Sequence, residues 1–523
     1  MTEPILPEPA TRRSRQRARP PRDRHAAAIE RQLPWRQLRN PYKPFEILSA
    51  DEIEAIHGAS LDILEQVGVA IQSPHVRELC RRHGAEPIGD GVWLRFDRGL
   101  TLETIAAAPA SFELASRNPR RNVRLGDGYL CFTPVSGAPN VSDLERGRRP
   151  GSFADYCDLV KLAHVFNAIH IVGGYPVEPI DLPVPIRHLD AGRAMLTLTD
   201  KISRVHCHTA ERARDLLEMT RLAHGCTLEG FQAKPRAIAI INTNSPLQLD
   251  AAMGEGIVEM AQANQACVIT PFTLAGAMAP VTLAGALAQQ NAEALSAIAV
   301  SQFARRGAPV VYGAFTTNVN MRTGAPAFGT PEYAKAALIS GQLARRYRLP
   351  FRSSNINTSN APDAQSAYES MMATWAAITG GVNLLHQSAG WLEGGLTASF
   401  EKFVLDIEIL QMFAAFLEPL VIDKKALAVA TVAEVGPGGH FFAAPHTLAR
   451  YEHAFHAPLV SDWRNFDAWN ADGATDATQR ASLIAKEALA TYEAPPDRPR
   501  QSRGARRLRR QAQGGRRGSR QLS

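Results

Sequence analysis

From Tyr129 onward, short apolar runs alternate with longer segments whose apolar residues recur every three or four positions. The short runs read as strands and the longer segments as helices. Eight strands are predicted: 129–134 (YLCFTP), 168–173 (AIHIVG), 202–206 (ISRVH), 236–242 (RAIAIIN), 267–271 (CVITP), 309–314 (PVVYGA), 350–355 (PFRSSN) and 382–387 (VNLLHQ). Helices are predicted between and after them, at 153–164, 209–224, 247–264, 282–306, 331–348, 363–379 and 398–415. Strands 202–206 and 350–355 are the most polar of the set. This alternation calls for parallel strands joined by crossover helices. Eight such units fit an α/β fold of the (β/α)8 TIM-barrel kind better than an open doubly wound sheet.

The flanking segments follow other patterns. Residues 41–126 are expected to form an N-terminal helical cap region. There SADEIEAIHGASLDILEQVGVAI begins with an N-cap Ser49, SPHVRELCRRHG stops at Gly84, GVWLRF reads as a strand and TLETIAAAP as a short helix. The barrel with a C-terminal extension is assigned to 127–470, and a C-terminal helix to 471–493. The net charge of +7 is unevenly spread. Residues 1–40 carry ten Arg against four acids, and 494–523 ten Arg against one Asp, so the segment between them is acidic. Both ends lack periodic apolar residues and are expected to be disordered basic tails. That distribution makes nucleic acid an unlikely partner of the globular part. The absence of a long apolar run argues against a membrane span, and a cytoplasmic protein is expected.

The six cysteines form no CxxC pair and read as reduced thiols. His206, Cys207 and His208 could bring two imidazoles to one face of a strand, but no metal is expected there. Neither GxGxxG nor GxxxxGK[ST] occurs, which disfavours a phosphate or nucleotide cradle.

Barrels of this class place their chemistry where strands run out into the following loops. The predicted strand ends are rich in small residues, amides and aromatics. NLLHQSAGWLEGGL collects His386, Trp391 and Glu393 beyond an apolar run. Phe272, Tyr312 and Phe315 end other strands, and Asn355, Asn357 and Asn360 follow the seventh. Aromatic faces with one carboxylate suit a quaternary ammonium ion, which has no N–H to donate. Each desolvated ring is worth up to about 2 kcal/mol. His386 fits a general acid/base or an oriented hydrogen-bond donor. Three readings stay open: transfer chemistry on such a cation, a TIM-barrel lyase using His386 and Glu393 as base and acid, and a non-catalytic methylamine-binding protein.

The segments HQSAGWLEGGLTASFEKFVLDIEIL, EVGPGGHFF, TPFTLAGAMAPVTLAGALAQQNAE, INTNSPLQLD and GAPAFGTPE together resemble the trimethylamine methyltransferase family, over about 39–469. The resemblance implies a TIM barrel that moves a methyl group from a methylated amine to the cobalt of a separate corrinoid protein. No cofactor would then be bound by this chain itself. With the strand-end reading above, His386 and Glu393 are the expected catalytic residues, and Phe272, Tyr312, Phe315, Trp391, Asn355, Asn357 and Asn360 the expected substrate contacts. Asn360 lies within a residue or two of the position that pyrrolysine takes in the archaeal trimethylamine enzymes. This chain is therefore similar to the non-pyrrolysine branch, some of whose members demethylate glycine betaine. If the substrate is a betaine, Arg352, Asn355, Asn357 and His386 are candidate donors to its carboxylate. A homo-oligomer is expected.

Overall fold

The computed structural model of the protein describes residues 29–496. Its centre is a sheet of eight parallel strands: β1 (Cys131–Phe132), β2 (Ile171–Gly173), β3 (Ile202–Val205), β4 (Ala237–Asn244), β5 (Ala266–Ala275), β6 (Val310–Gly313), β7 (Phe351–Ser354) and β8 (Leu384–His386). Each coincides with a predicted strand. They pair in the order β1–β8–β7–β6–β5–β4–β3–β2, every neighbour parallel. The two end strands of that order also meet. His170 N donates to Phe132 O at 2.9 Å, and Phe132 N donates to the His170 ring at Nδ1, 3.1 Å away.

A helix follows each strand: α1 (Phe153–Val165), α2 (Arg187–Leu198), α3 (Ala210–His224), α4 (Ala251–Gln262), α5 (Leu283–Ala304), α6 (Pro331–Arg346), α7 (Ala364–Thr379) and α8 (Phe400–Phe416). Ser152, Thr209, Asp250, Thr330, Asp363 and Ser399 start six of them by accepting the third backbone N–H of the first turn. Only α2 was not predicted. It lacks a side-chain N-cap and follows a proline-rich lead, so its start carries no sequence signal.

The alanine-rich α5 is buried on nearly all sides. The N-terminal helices Ala50–Asp62, Pro74–Arg82 and Arg98–Ala106 cover the side of α5 that the sheet leaves free. The N-terminal region is not purely helical, however. It contains short strands at 69–71, 86–88, 93–95, 112–114 and 123–125. The last two form a hairpin whose Leu114, Val123 and Leu125 pack under the central sheet. The strand at 93–95 is the one expected in GVWLRF; the other three-residue strands are too short to show a period of two.

Residues 29–40 are not tail either. Leu38 is buried, its carbonyl accepts from Leu130 N, and Trp35 packs against the hairpin cluster. The remaining parts of the expected basic tails, 1–28 and 497–523, lie outside the described residues. The C-terminal helix spans Ala477–Ala490, capped by Asp476 and Gln479, and packs on α8. Among the described residues no helix is long and apolar enough to cross a membrane.

Candidate functional site

Alternation along a strand sorts residues by face. Cys131, Ile171, Ile202, Ile238, Ala266, Val268, Val311 and Leu384 form one buried cluster on the sheet face turned away from the helices. Toward the C-terminal strand ends, the same parity brings polar groups onto that face. Arg204 is in register with Ile238, Arg352 with Leu384 and Gly313, and Asn242 with Thr270. His386 and Ser354 come next, then Asn244, Phe272 and Phe315. Asn242 and Asn244 are exposed, and Ile240 and Phe272 half-buried. Water therefore reaches this face from the C-terminal ends. Gly313 is required there, because a Cβ would collide with the Thr270 hydroxyl and the Ile269 carbonyl.

His386 lies between two arginines. Arg204 Nη1 is 2.7 Å from its Nε2, and Arg352 Nη2 is 3.1 Å from its Nδ1. Burial first, then the positive charge of Arg204 and Arg352, holds the imidazole well below the usual histidine range, so it is neutral. A neutral imidazole accepts at one nitrogen only, so one of the two guanidinium approaches has no acceptor. Arg204 also donates to Gly173 O (3.1 and 2.8 Å) and to the Ser136 hydroxyl. Arg352 donates to Ala314 O at 3.1 Å and Gln387 Oε1 at 3.3 Å. Sequence reasoning missed Arg204, since an arginine inside ISRVH reads as a solvent-facing residue.

Beside this group stands a ring cluster. Phe315 has Phe272 at 5.3 Å, Phe328 at 5.7 Å, Tyr333 at 6.3 Å and Trp391 at 6.4 Å between centroids. Arg352 lies 5.3 Å from the Phe315 ring centre. Three expected rings, Phe272, Phe315 and Trp391, are thus brought together. Across the strand ends, Tyr175 and His206 are 4.4 Å apart and His206 and His208 3.6 Å. Among the described residues no group of three or more His, Cys, Asp or Glu is placed to hold a metal ion.

Other expected residues sit elsewhere. Tyr312 pairs in register with Ile269 on the helix-bearing face. Its hydroxyl donates to Asn291 Oδ1 at 2.9 Å and accepts from Gln290 at 3.0 Å, both on α5. It stands behind the sheet, away from the face that water reaches. Asn355 donates to Asp406 Oδ1 and Ser388 O. Asn357 donates to Trp391 O at 2.6 Å, and Trp391 Nε1 returns a bond to Asn357 O. These amides tie the loops after β7 and β8 together. Asn360 is exposed on the first of those loops.

Glu393 is held by Arg148, whose Nε is 2.9 Å from each carboxylate oxygen. Arg148 belongs to the hairpin Asn140–Asp143/Gly147–Pro150. That hairpin forms one small sheet with Trp391–Leu392 and Thr397–Ser399. Glu393 is thus paired with Arg148 and His386 with Arg204 and Arg352, and no hydrogen bond joins the two among the described residues.

The sequence profile of the family described as Trimethylamine methyltransferase (MTTB) matches residues 12–514. The chain belongs to the trimethylamine methyltransferase family. It is therefore an enzyme that transfers methyl groups, which sets aside the purely binding role. A protein named glycine betaine methyltransferase from Desulfitobacterium hafniense is 35% identical over 86% of this chain and 94% of its own. Trimethylamine methyltransferase MttB of the same species is 28% identical, and MttB of Methanosarcina barkeri 25%; each match spans 86% of this chain, and 90% and 92% of theirs. Among solved structures, the hydroxylamine complex of MtmB superposes with a TM-score of 0.51 at 10% identity, covering 87% of this chain and 90% of that one. That likeness concerns the fold alone.

Proposed function

We propose that the eight strands close into a (β/α)8 barrel whose mouth binds a quaternary methylamine of the glycine betaine kind. The methyl acceptor is the cobalt of a corrinoid carried by a separate protein. The observation that carries this reading is the ring cluster around Phe315, set on a polar face that water reaches. The bonds between Phe132 and His170 support closure. Cobalt(I) supplies the electron pair of the new Co–CH3 bond and becomes formally Co(III). The C–N bond breaks with its pair staying on nitrogen, and the neutral tertiary amine leaves. No proton is needed, in keeping with a neutral His386 and a Glu393 committed to Arg148.

Ring faces also suit the charge balance. The cation's charge is lost as the bond breaks, so a strong ion pair would favour the bound substrate over the transition state. The chain's task is to orient the donor and shield it. The test is incubation of the purified protein with glycine betaine and reduced cobalamin, read as methylcobalamin absorbance. Methyl transfer from glycine betaine is the expected result, and none from any quaternary or tertiary methylamine overturns the reading.

The homo-oligomer expected from the sequence has a physical basis between α8 and the C-terminal helix. Leu420, Phe442 and Phe455 there are 82%, 84% and 86% exposed, and Val421, Ile422, Trp463 and Phe466 are exposed as well. Exposed apolar side chains of this kind are what a subunit contact covers. The double variant Phe442→Asp/Phe455→Asp is expected to lower the particle mass seen by light scattering. An unchanged mass places the contact elsewhere.

A further inference from the structure

Arg204 and Arg352 are 6% and 2% exposed, yet among the described residues no carboxylate pairs with either. Two uncompensated buried charges that meet at one imidazole, from β3 and β7, are costly, and such charges are ordinarily paired. Their protein partners are carbonyls, an amide, a hydroxyl and one imidazole. A guanidinium has five N–H donors. Arg352 spends three approaches on Ala314, His386 and Gln387, and its Nε–H is buried with no acceptor. The Thr270 hydroxyl, two strands over in the same register row, is also buried without a partner. Orphaned donors, an imidazole offering one acceptor to two guanidiniums, and access for water from Asn242 together describe a site that lacks an anion.

We infer that Arg204 and Arg352, flanking His386, bind the carboxylate of a zwitterionic methyl donor and thereby make a carboxylate a requirement for substrate. The inference rests on the methyl-transfer reading above and narrows its substrate class. Arg352 joins the two parts of the site: its guanidinium lies 5.3 Å from the Phe315 ring centre, and its Nε–H has no acceptor. A carboxylate on the arginines leaves the trimethylammonium group toward Phe315 and Phe272, nearer the open strand ends where an incoming cobalt has access. Choline, which replaces the carboxylate by a neutral hydroxymethyl group, and trimethylamine, which has neither, leave both guanidiniums unpaired.

The test is calorimetric titration of the full-length protein with glycine betaine, choline and tetramethylammonium, with acetate as competitor. Glycine betaine is expected to bind roughly 100-fold more tightly than choline, the penalty for leaving a buried charge unpaired. Acetate is expected to compete with it. Arg352→Met and Arg204→Met are expected to weaken betaine far more than choline and so to remove most of the difference between them. The wild-type comparison needs no variant, so it stands if a substitution prevents folding. Equal affinity for betaine and choline, no binding of betaine, or loss of both ligands alike in the variants overturns the assignment. The two readings fail differently. Methyl transfer from choline as fast as from betaine removes the carboxylate site and leaves the methyltransferase. Arginine-dependent betaine binding without methyl transfer does the reverse.

Discussion

Lys402→Met is expected to lower the free energy of unfolding by about 3 to 5 kcal/mol, the range for removing one partner of a buried ion pair. Lys402 and Asp406 sit one turn apart on α8, with side chains 1% and 0% exposed. Asp406 receives the Lys402 ammonium and Asn355 Nδ2 on one oxygen, and Gly390 N on the other at 2.9 Å. Lys402 also donates to Ser370 on α7 at 2.9 Å. One buried carboxylate thus fastens the loop after β7 and the loop after β8 to α8. Without the ammonium it is left as a buried anion with two neutral donors. Burial already raises its pKa above the ordinary carboxylate range, so it would take up a proton rather than stay charged.

Urea unfolding checks the magnitude. A second variant checks the cause: Lys402→Met/Asp406→Leu removes both charges and is expected to recover much of the loss. If the double variant is as unstable as the single one, packing rather than charge explains the effect. Because the loop after β8 carries Trp391 and Glu393, the single variant is also expected to raise the KM for the amine.

The eight-strand order was legible because the apolar runs and the helical segments have different periods, and turn residues separate them. Which side of a strand faces the site was not. In VVYGA every residue is apolar or small, so nothing marks Tyr312 as facing α5 and Val311 as facing the sheet's inner cluster. His386 was legible as the polar end of an apolar strand. Its neighbours were legible only in part. Arg352 could be read as a donor, whereas Arg204 is 182 residues from His386 and shows no local pattern. Glu393 resembled a free carboxylate because its partner Arg148 is 245 residues away. Pairings over such distances are fixed by the sheet order, and a single sequence does not state them.

The second large effect is a loss of stability in mild acid, centred on His170. This residue joins the two ends of the strand order twice, through its backbone N–H to Phe132 O and through Nδ1, which accepts from Phe132 N. Its Nε2–H donates to Arg36 O at 3.0 Å. Full burial lowers its pKa from 6.5 to about 4. The unfolded chain therefore binds a proton near pH 6.5, whereas the folded one resists until about pH 4. The stabilisation is complete above the unfolded value and is lost as pH falls through that window, a contribution of about 3 kcal/mol. Protonation would also turn Nδ1 from acceptor to donor, facing the Phe132 N–H. His164 and His57, shifted mainly by burial to about 4, act in the same direction. His170→Gln supplies an acceptor and a donor that do not titrate. It is expected to be less stable than wild type near pH 7.5 but to lose less on acidification, as measured by urea unfolding between pH 7.5 and 4.5. A variant whose stability falls as steeply as that of the wild type would show that the acid sensitivity arises elsewhere.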